Sequence, residues 1–163
     1  MPPSTPISSL ILANVKTTIE TLAAGSTYFY TPGDVRHFED YALDLTTGAT
    51  FPVYFIAPQA EPTASRQMAG THQLVTFGWE VTLVGVHHGG ASRSESWGTQ
   101  AVEQMRHDLL KALRADPTRG GYAIDTKVQS INRWVADFQA YDASVAVTFE
   151  ITYRHRENDP SAQ

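Results

Sequence analysis

The sequence predicts an α+β domain in which a mainly antiparallel sheet of about five strands carries two amphipathic helices on one face. Three observations lead to this prediction. Two segments place apolar residues at helical spacing, one near the start of the chain and one in its second half. Two other segments alternate apolar and polar residues with a period of two, as half-buried strands do. The strand segments also follow one another through short or loop connections, which favours antiparallel pairing.

The first helix is predicted for residues 6–24. Thr5 followed by Pro6 has the pattern of an N-cap and a first helical residue, where the missing N–H of proline costs nothing. The stripe of apolar residues comprises Ile7, Leu10, Ile11, Val15, Ile19 and Leu22. Gly25 follows the stripe, and a glycine at this place is typical of a left-handed C-cap.

Shorter β-like segments follow at residues 28–30, 35–45 and 51–56. Residues 58–73 show no periodicity, so we predict a long loop between strands there. The third strand is indicated by alternating apolar residues, namely Val75, Phe77, Trp79, Val81 and Leu83. One face of the sheet should therefore contact solvent or a partner.

The second helix is predicted for residues 94–114, after a loop that contains His87 and His88. Ser92 and Glu95 have the spacing of a capping box, and Pro117 follows the helix. A strand over 122–135 should contain an irregularity near residues 130–131. The last strand alternates Val145, Val147, Phe149, Ile151 and Tyr153 with polar or small residues. We expect one domain over residues 1–155 and a flexible tail over 156–163.

Composition excludes several classes of function. The chain has 163 residues, and its 12 Lys and Arg against 17 Asp and Glu give a net charge of −5, which does not attract duplex nucleic acid. Residues 28–62 carry four of these five net negative charges. The absence of cysteine excludes disulfides, cysteine-based zinc sites and thiol catalysis. Neither a signal peptide nor a membrane-spanning run is predicted. Charged residues make up only 18% of the chain, which hints at assembly.

No catalytic or metal-binding signature is complete. The candidate metal ligands are His87 and His88 with His72 or His107 and a carboxylate such as Glu95 or Asp108. Because adjacent histidines in a strand point to opposite sides and no HExxH pattern exists, ordinary surface histidines are the favoured interpretation. No cofactor is expected.

Two further patterns also favour the simpler interpretation. Gly89 and Gly90 before a helix resemble a phosphate-binding turn, but neither the lysine of a P-loop nor a GxGxxG pattern is present. The glycines are then a flexible turn. Glu39 and Asp40 are more simply a solvated face than a catalytic pair, and no GxSxG elbow occurs.

One tryptophan is a candidate for a surface contact. Trp79 and Trp97 lie on apolar stripes and are expected in the core. Trp134 lies beside Arg133 and outside a clean stripe, so a surface anchor and core burial both remain open. We therefore take Trp134, Arg133, His87 and His88 as candidate interface residues.

Taken in order, these elements resemble the tail terminator (tail completion) proteins of long-tailed bacteriophages. The resemblance spans nearly the whole chain. It is carried by the N-terminal helix through Leu22, by Phe51-Pro52-Val53-Tyr54-Phe55, by the strand at 77–85, by the helix at 103–113, by the turn at 116–121 and by the ending at 146–154.

The resemblance implies a structural virion protein and no enzyme. Such a subunit forms a ring, of six copies by resemblance, that caps the tail tube, ends its polymerisation and offers a docking face to the head-tail connector or stopper protein. DNA would pass through the channel without specific binding, and the acidic residues Asp34, Glu39, Asp40 and Asp44 are candidates for its lining. The location would be the virion, after assembly in the host cytoplasm. Another neck or minor tail protein, of the head-closure type, or a small His-dependent hydrolase are the alternatives.

Overall fold

The computed structural model describes residues 5–37, 50–59, 63–69, 72–89, 96–135, 142–157 and 159–161. The elements that it contains are α1 (Ile7–Glu20), β1 (Asp34–His37), β2 (Val53–Pro58), β3 (Thr63–Ala69), β4 (His72–His88), α2 (Trp97–Ala115), β5 (Asp125–Val135) and β6 (Asp142–Arg156). No helix in the described ranges is long and apolar enough to cross a membrane.

The six strands form one sheet in the order β1-β2-β4-β6-β5. Among the strands of the described residues, β1 and β2 pair in parallel and the other pairs are antiparallel. The long strands β4 and β6 pair along almost their whole length, from Leu74 opposite Arg156 to His88 opposite Asp142. β2 and β3 both pair with the other edge of β4, one behind the other.

The hydrophobic core lies between the two helices and one face of the sheet, which we call the helix face. α1 contributes Ile7, Ile11, Val15 and Ile19, and α2 contributes Val102, Met105, Leu109 and Leu113, all of which are buried. The alternating residues of β4 and β6 complete the core, among them Val81, Leu83, Val147, Phe149 and Ile151. Every second side chain of β4 and β6 packs against the helices, which explains the alternation of apolar residues in these strands, as predicted.

The opposite face of the sheet, the outer face, changes character along its length. Glu80 of β4 lies opposite Glu150 of β6 and is exposed, while the hydroxyls of Thr82 and Thr148 are 3.0 Å apart. On β2, by contrast, Val53 and Phe55 are fully buried although they lie on this face by register. The outer face is therefore polar near the middle of the sheet and apolar at β2.

The predicted fold class is confirmed, but the described residues form six strands rather than about five. The additional strand is β3, which lies within residues 58–73, where the sequence analysis expected a loop. That expectation was wrong because β3 pairs with β4 while its described side chains, residues 65–68, are all exposed. A strand with no buried face has no reason to alternate apolar and polar residues. The β-like segment at residues 28–30 is also not a strand, apart from a single bridge between Ala24 and Tyr28.

The helix ends differ from the prediction in an informative way. Pro6 rather than Thr5 is the N-cap residue, with no side-chain hydrogen bond, and the Ile7 N–H is instead satisfied by the Pro160 carbonyl at 3.0 Å. α1 ends at Glu20, several residues before Gly25, whose φ is not positive. α2 begins at Trp97, and the predicted capping box of Ser92 and Glu95 lies outside the described residues.

The irregularity predicted in the fifth strand is confirmed. The pairing of β5 with β6 shifts register between Val128 and Ser130, so one extra residue stands in β5 at that point. Beyond the end of β6, the Glu157 N–H donates to the Gln73 carbonyl at 2.8 Å. The chain after β6 thus contacts both the sheet and the first turn of α1.

Candidate interface surfaces and the contacts that define them

A buried carboxylate on α2 holds the segment that follows α1. Asp108 is 0% exposed, and its two oxygens accept hydrogen bonds from the backbone N–H groups of Phe29 and Tyr30 at 2.9–3.0 Å. The His107 Nδ1 lies 3.2 Å from the same carboxylate. Because a buried carboxylate is costly without donors, these bonds explain both its position and the course of residues 28–30. Asp108, considered above as a metal ligand, therefore has a structural role.

Two tyrosines lie within the field of this carboxylate. Tyr30 donates its hydroxyl to Gln104 Oε1 at 2.8 Å, and burial together with the charge of Asp108 raises its pKa. Tyr54 is fully buried, and burial followed by the same charge and by Tyr30 raises its pKa far more. Both shifts favour the neutral phenol over the phenolate.

The role of Asp108 leaves a signal in the sequence. Met105, Leu109 and Ala112 form the buried stripe of α2, and position 108 lies three residues after the first and four before the last. An acid at a position that helical spacing assigns to the core must find donors there. The position of Asp108 on the buried stripe of α2 is thus a signal that could have identified it from the sequence.

His87 lies within a cluster of aromatic rings. Its imidazole meets Tyr30 edge-on with ring centroids 5.0 Å apart, Trp97 edge-on at 5.3 Å, and Phe51 in a stacked arrangement at 6.5 Å. Burial lowers the pKa of His87, although a hydrogen bond to the His88 carbonyl opposes this effect. The predicted interface residue His87 is therefore half-buried and packs inside the subunit.

Gly89, next to this cluster, has a packing role rather than the flexibility expected of it. It is buried, and a Cβ placed on it would lie 2.7 Å from the indole ring of Trp97. No other residue allows the indole this close approach. Gly90 lies outside the described residues.

His87 and His88 are the last two residues of β4 and not part of a loop, which corrects the prediction. His88 is exposed and contacts the ring of Phe51 with centroids 5.6 Å apart. His72 begins the same 17-residue strand, whereas His107 contacts Asp108. In the described ranges, no group of three or more His, Asp or Glu side chains could hold a metal ion.

The structure describes the side-chain contacts of Arg133 but only the backbone pairing of Trp134. Arg133 forms an ion pair with Glu103 of α2, with Nε and Oε1 3.2 Å apart, and both side chains are about half exposed. Arg133 therefore links β5 to α2. Trp134 pairs with Ser144 in the sheet, but its side chain lies outside the described part of the structure.

Only one of the candidate channel residues can be placed. Asp34 begins β1, and its carboxylate accepts from the Val35 N–H at 2.8 Å and from Arg36 Nε at 2.5 Å. Much of its charge is therefore compensated within the subunit. Glu39, Asp40 and Asp44 lie outside the described residues.

A tight turn closes the C-terminal end of α2. Arg119 is fully buried with a φ of 50°, and its Nη2 donates to the Leu113 carbonyl in the last turn of the helix. Burial alone would raise the pKa of Asp116, but hydrogen bonds, first that of the Gly120 N–H at 2.6 Å, hold it below its usual value. Asp116 also opposes the lowering of the Arg119 pKa that burial causes. The turn is a helix cap built around a buried cation, which suits the negative end of the helix dipole.

One exposed part of the described sheet is a surface that we call the β3 rim. It consists of residues 65–68 of β3 together with Arg154 and Arg156 of β6, which lie in the same rows across β4 as Ser65 and Gln67. All six residues are exposed, and Met68 is 72% exposed. No strand in the described ranges pairs with the other edge of β3.

Comparison with known proteins identifies no family for this chain. No protein-family model and no curated protein matches the chain. Among solved structures, the chain is similar to one in a structure titled "Virion of native gene transfer agent (GTA) particle", with 7% identity and a TM-score of 0.34. The similarity covers 91% of this chain and 92% of that one. At this TM-score the similarity supports no argument about function.

Proposed function

We propose that this chain is a non-enzymatic structural subunit of the tail terminator type, which assembles into a ring on the end of a phage tail tube. The ring ends the polymerisation of the tube and provides the docking face for the head connector. By resemblance the ring has six copies. The proposal rests on the ordered set of sequence elements that resembles this family.

The structural observation that supports the proposal is a contrast between two parts of the subunit. The candidate polar side chains contact other residues of the same subunit, whereas one edge of the sheet is available for a contact. Asp108, His87 and Arg133 are engaged in contacts within the subunit, while the β3 rim presents an edge with which no strand of the described residues pairs. A closed ring requires two different, complementary patches on each subunit. A free sheet edge is one surface that can serve such a contact.

The acidic segment has a role in the proposed ring. If Glu39, Asp40 and Asp44 line the channel, DNA that passes through is repelled, which avoids the salt-dependent affinity of basic linings. Asp34 would contribute less to this field because Arg36 compensates its charge. Replacement of the three acids by lysine should then make the assembled ring retain duplex DNA at low salt.

The direct test has two parts. Mass photometry of the purified protein should show a closed oligomer, and electron microscopy should show it at one end of purified tail tubes. A protein that remains monomeric at every concentration and does not bind tubes would contradict the proposal. Binding at the neck or along the tail would favour a head-closure or minor tail protein, and tight stoichiometric zinc would favour the hydrolase.

The role of Trp134 can be tested in the same assays. We expect Trp134→Ala to weaken oligomer formation while circular dichroism and thermal unfolding stay as in the wild type, because aromatic anchors dominate many interfaces. Asn132→Ala, an exposed position on the same strand, is the matched control. A molten Trp134→Ala subunit would instead assign Trp134 to the core.

A further inference from the structure

The β3 rim differs from the other long edge of the sheet. Residues 65–68 follow one another in the strand and point alternately to its two sides, yet all four are exposed. The pairing of β3 with β4 shifts register between Thr63 and Ser65 and is regular from Ser65 to Ala69. Over these five residues β3 is an edge strand without a bulge and with neither described face covered, which is the kind of edge that accepts another strand.

β5, at the opposite side of the sheet, carries the features that prevent such pairing. A bulge interrupts it between Val128 and Ser130, and the exposed cations Lys127 and Arg133 stand on either side of the bulge. Bulges and edge charges are the usual protection of natural edge strands. β3 has a single charged residue in its sequence, Arg66, and this residue is already 3.5 Å from Glu157.

Charge also distinguishes the end of the sheet around β3. Arg66, Arg154 and Arg156 against Glu157 and Asp159, which is bridged to Arg156, give this region a formal charge of +1, and no other acid or Lys or Arg lies in residues 63–77 or 153–159. The whole chain has a net charge of −5. The end of one molecule that carries the β3 rim is therefore complementary in charge to the remainder of another.

We infer that the β3 rim is a strand-addition site for a second copy of this chain, which is net acidic outside this rim. The inference rests on the proposed ring and names the surface through which one subunit contacts the next. Main-chain hydrogen bonds along residues 65–69 supply pairing, and Met68 supplies the exposed apolar side chain that the contact buries. The arginines Arg154 and Arg156 attract the acidic partner.

The test is the effect of Met68→Glu on association. An additional carboxylate on this edge faces an acidic partner, so the dissociation constant of the oligomer should rise at least about tenfold by analytical ultracentrifugation. Arg154→Glu should act in the same direction, and the wild-type association should weaken with increasing salt. Since Met68 and Arg154 are exposed, the thermal unfolding of the variants should stay that of the wild type.

Gln100→Glu places the same charge on an exposed position of α2, outside the candidate interface residues, and is the matched control, which should associate as the wild type does. If the wild type forms a ring and Met68→Glu associates equally well, the β3 inference is wrong while the proposed ring stands. A wild type that is monomeric and does not bind tail tubes would overturn both. Unchanged association with loss of duplex DNA retention in Arg154→Glu would assign the rim to DNA and also overturn the inference.

Discussion

The surroundings of α2 and the β3 rim use similar residue types for opposite purposes. Around α2, Asp108 binds two backbone N–H groups, Arg133 pairs with Glu103 and Arg119 caps the helix end. At the rim, the side chains of Gln67, Met68, Arg154 and Arg156 are exposed to solvent. The difference shows that burial decides which role a polar side chain has. A buried polar side chain fixes the path of the backbone, whereas an exposed one is available to a partner.

The largest loss of unfolding free energy should come from a substitution in the core beneath α2, and no comparable loss is expected at the β3 rim. Leu109 is fully buried, so Leu109→Asp places an unpaired charge there and should cost about 4 kcal/mol or more of the free energy of unfolding. Since small domains have about 5–15 kcal/mol in total, the variant should be largely unfolded by circular dichroism. Gln100→Asp, exposed on the same helix, should fold normally. A folded Leu109→Asp would contradict the placement of this helix.

Removal of the buried carboxylate should have the next largest effect. Asp108→Ala leaves the N–H groups of Phe29 and Tyr30 without acceptors, and we expect a loss of about 3 kcal/mol in urea unfolding. Asp108→Asn retains one acceptor oxygen and should lose less. Equal stability of Asp108→Ala and the wild type would show that residues 28–30 are held by other contacts.

The close approach of Trp97 to Gly89, the residue after β4, predicts a smaller loss of unfolding free energy when Gly89 is replaced. The Cβ of Gly89→Ala would lie 2.7 Å from the indole, and overpacking of this kind should cost about 2 kcal/mol. The matched control is Gly25→Ala, where nothing lies within 4 Å, and we expect a change within about 0.5 kcal/mol. Similar unfolding midpoints for the two variants in urea would contradict the packing of Trp97.

The smallest effect should be the pH dependence that His87 contributes, because this ring is only half-buried. Burial lowers its pKa in the folded state below the ordinary 6.5, so the unfolded chain binds the proton more readily. Stability from this group is present above pH 6.5 and decreases as the pH falls through 6.5 toward the folded-state pKa. His87→Gln should flatten the curve of unfolding free energy against pH in this window. His155→Gln is the control, and an equal slope in wild type and His87→Gln would contradict the prediction.

The sequence predicted those elements whose side chains divide between an apolar and a polar environment. β4, β6 and the stripes of both helices follow this rule, so their periods are visible. β3 was missed because neither of its described faces is buried, and the N-terminus of α1 was misplaced because its acceptor, the Pro160 carbonyl, lies 153 positions away along the chain.

The candidate site was less accessible to sequence reasoning than the fold. His87 and Arg133 were selected for their chemical type, and only tertiary packing decides that one meets three aromatic rings and the other Glu103. Asp108 could have been recognised from its place on the buried stripe of α2. Trp134 and the role of Glu39, Asp40 and Asp44 stay predictions.

The hydrogen bond between the Ile7 N–H and the Pro160 carbonyl brings two distant parts of the polypeptide side by side. A short linker that joins the chain before α1 to the chain after Ser161 would then need to span only a small gap. Such a linker should leave the pairing of β4 with β6 intact, because it would connect two segments that already lie together.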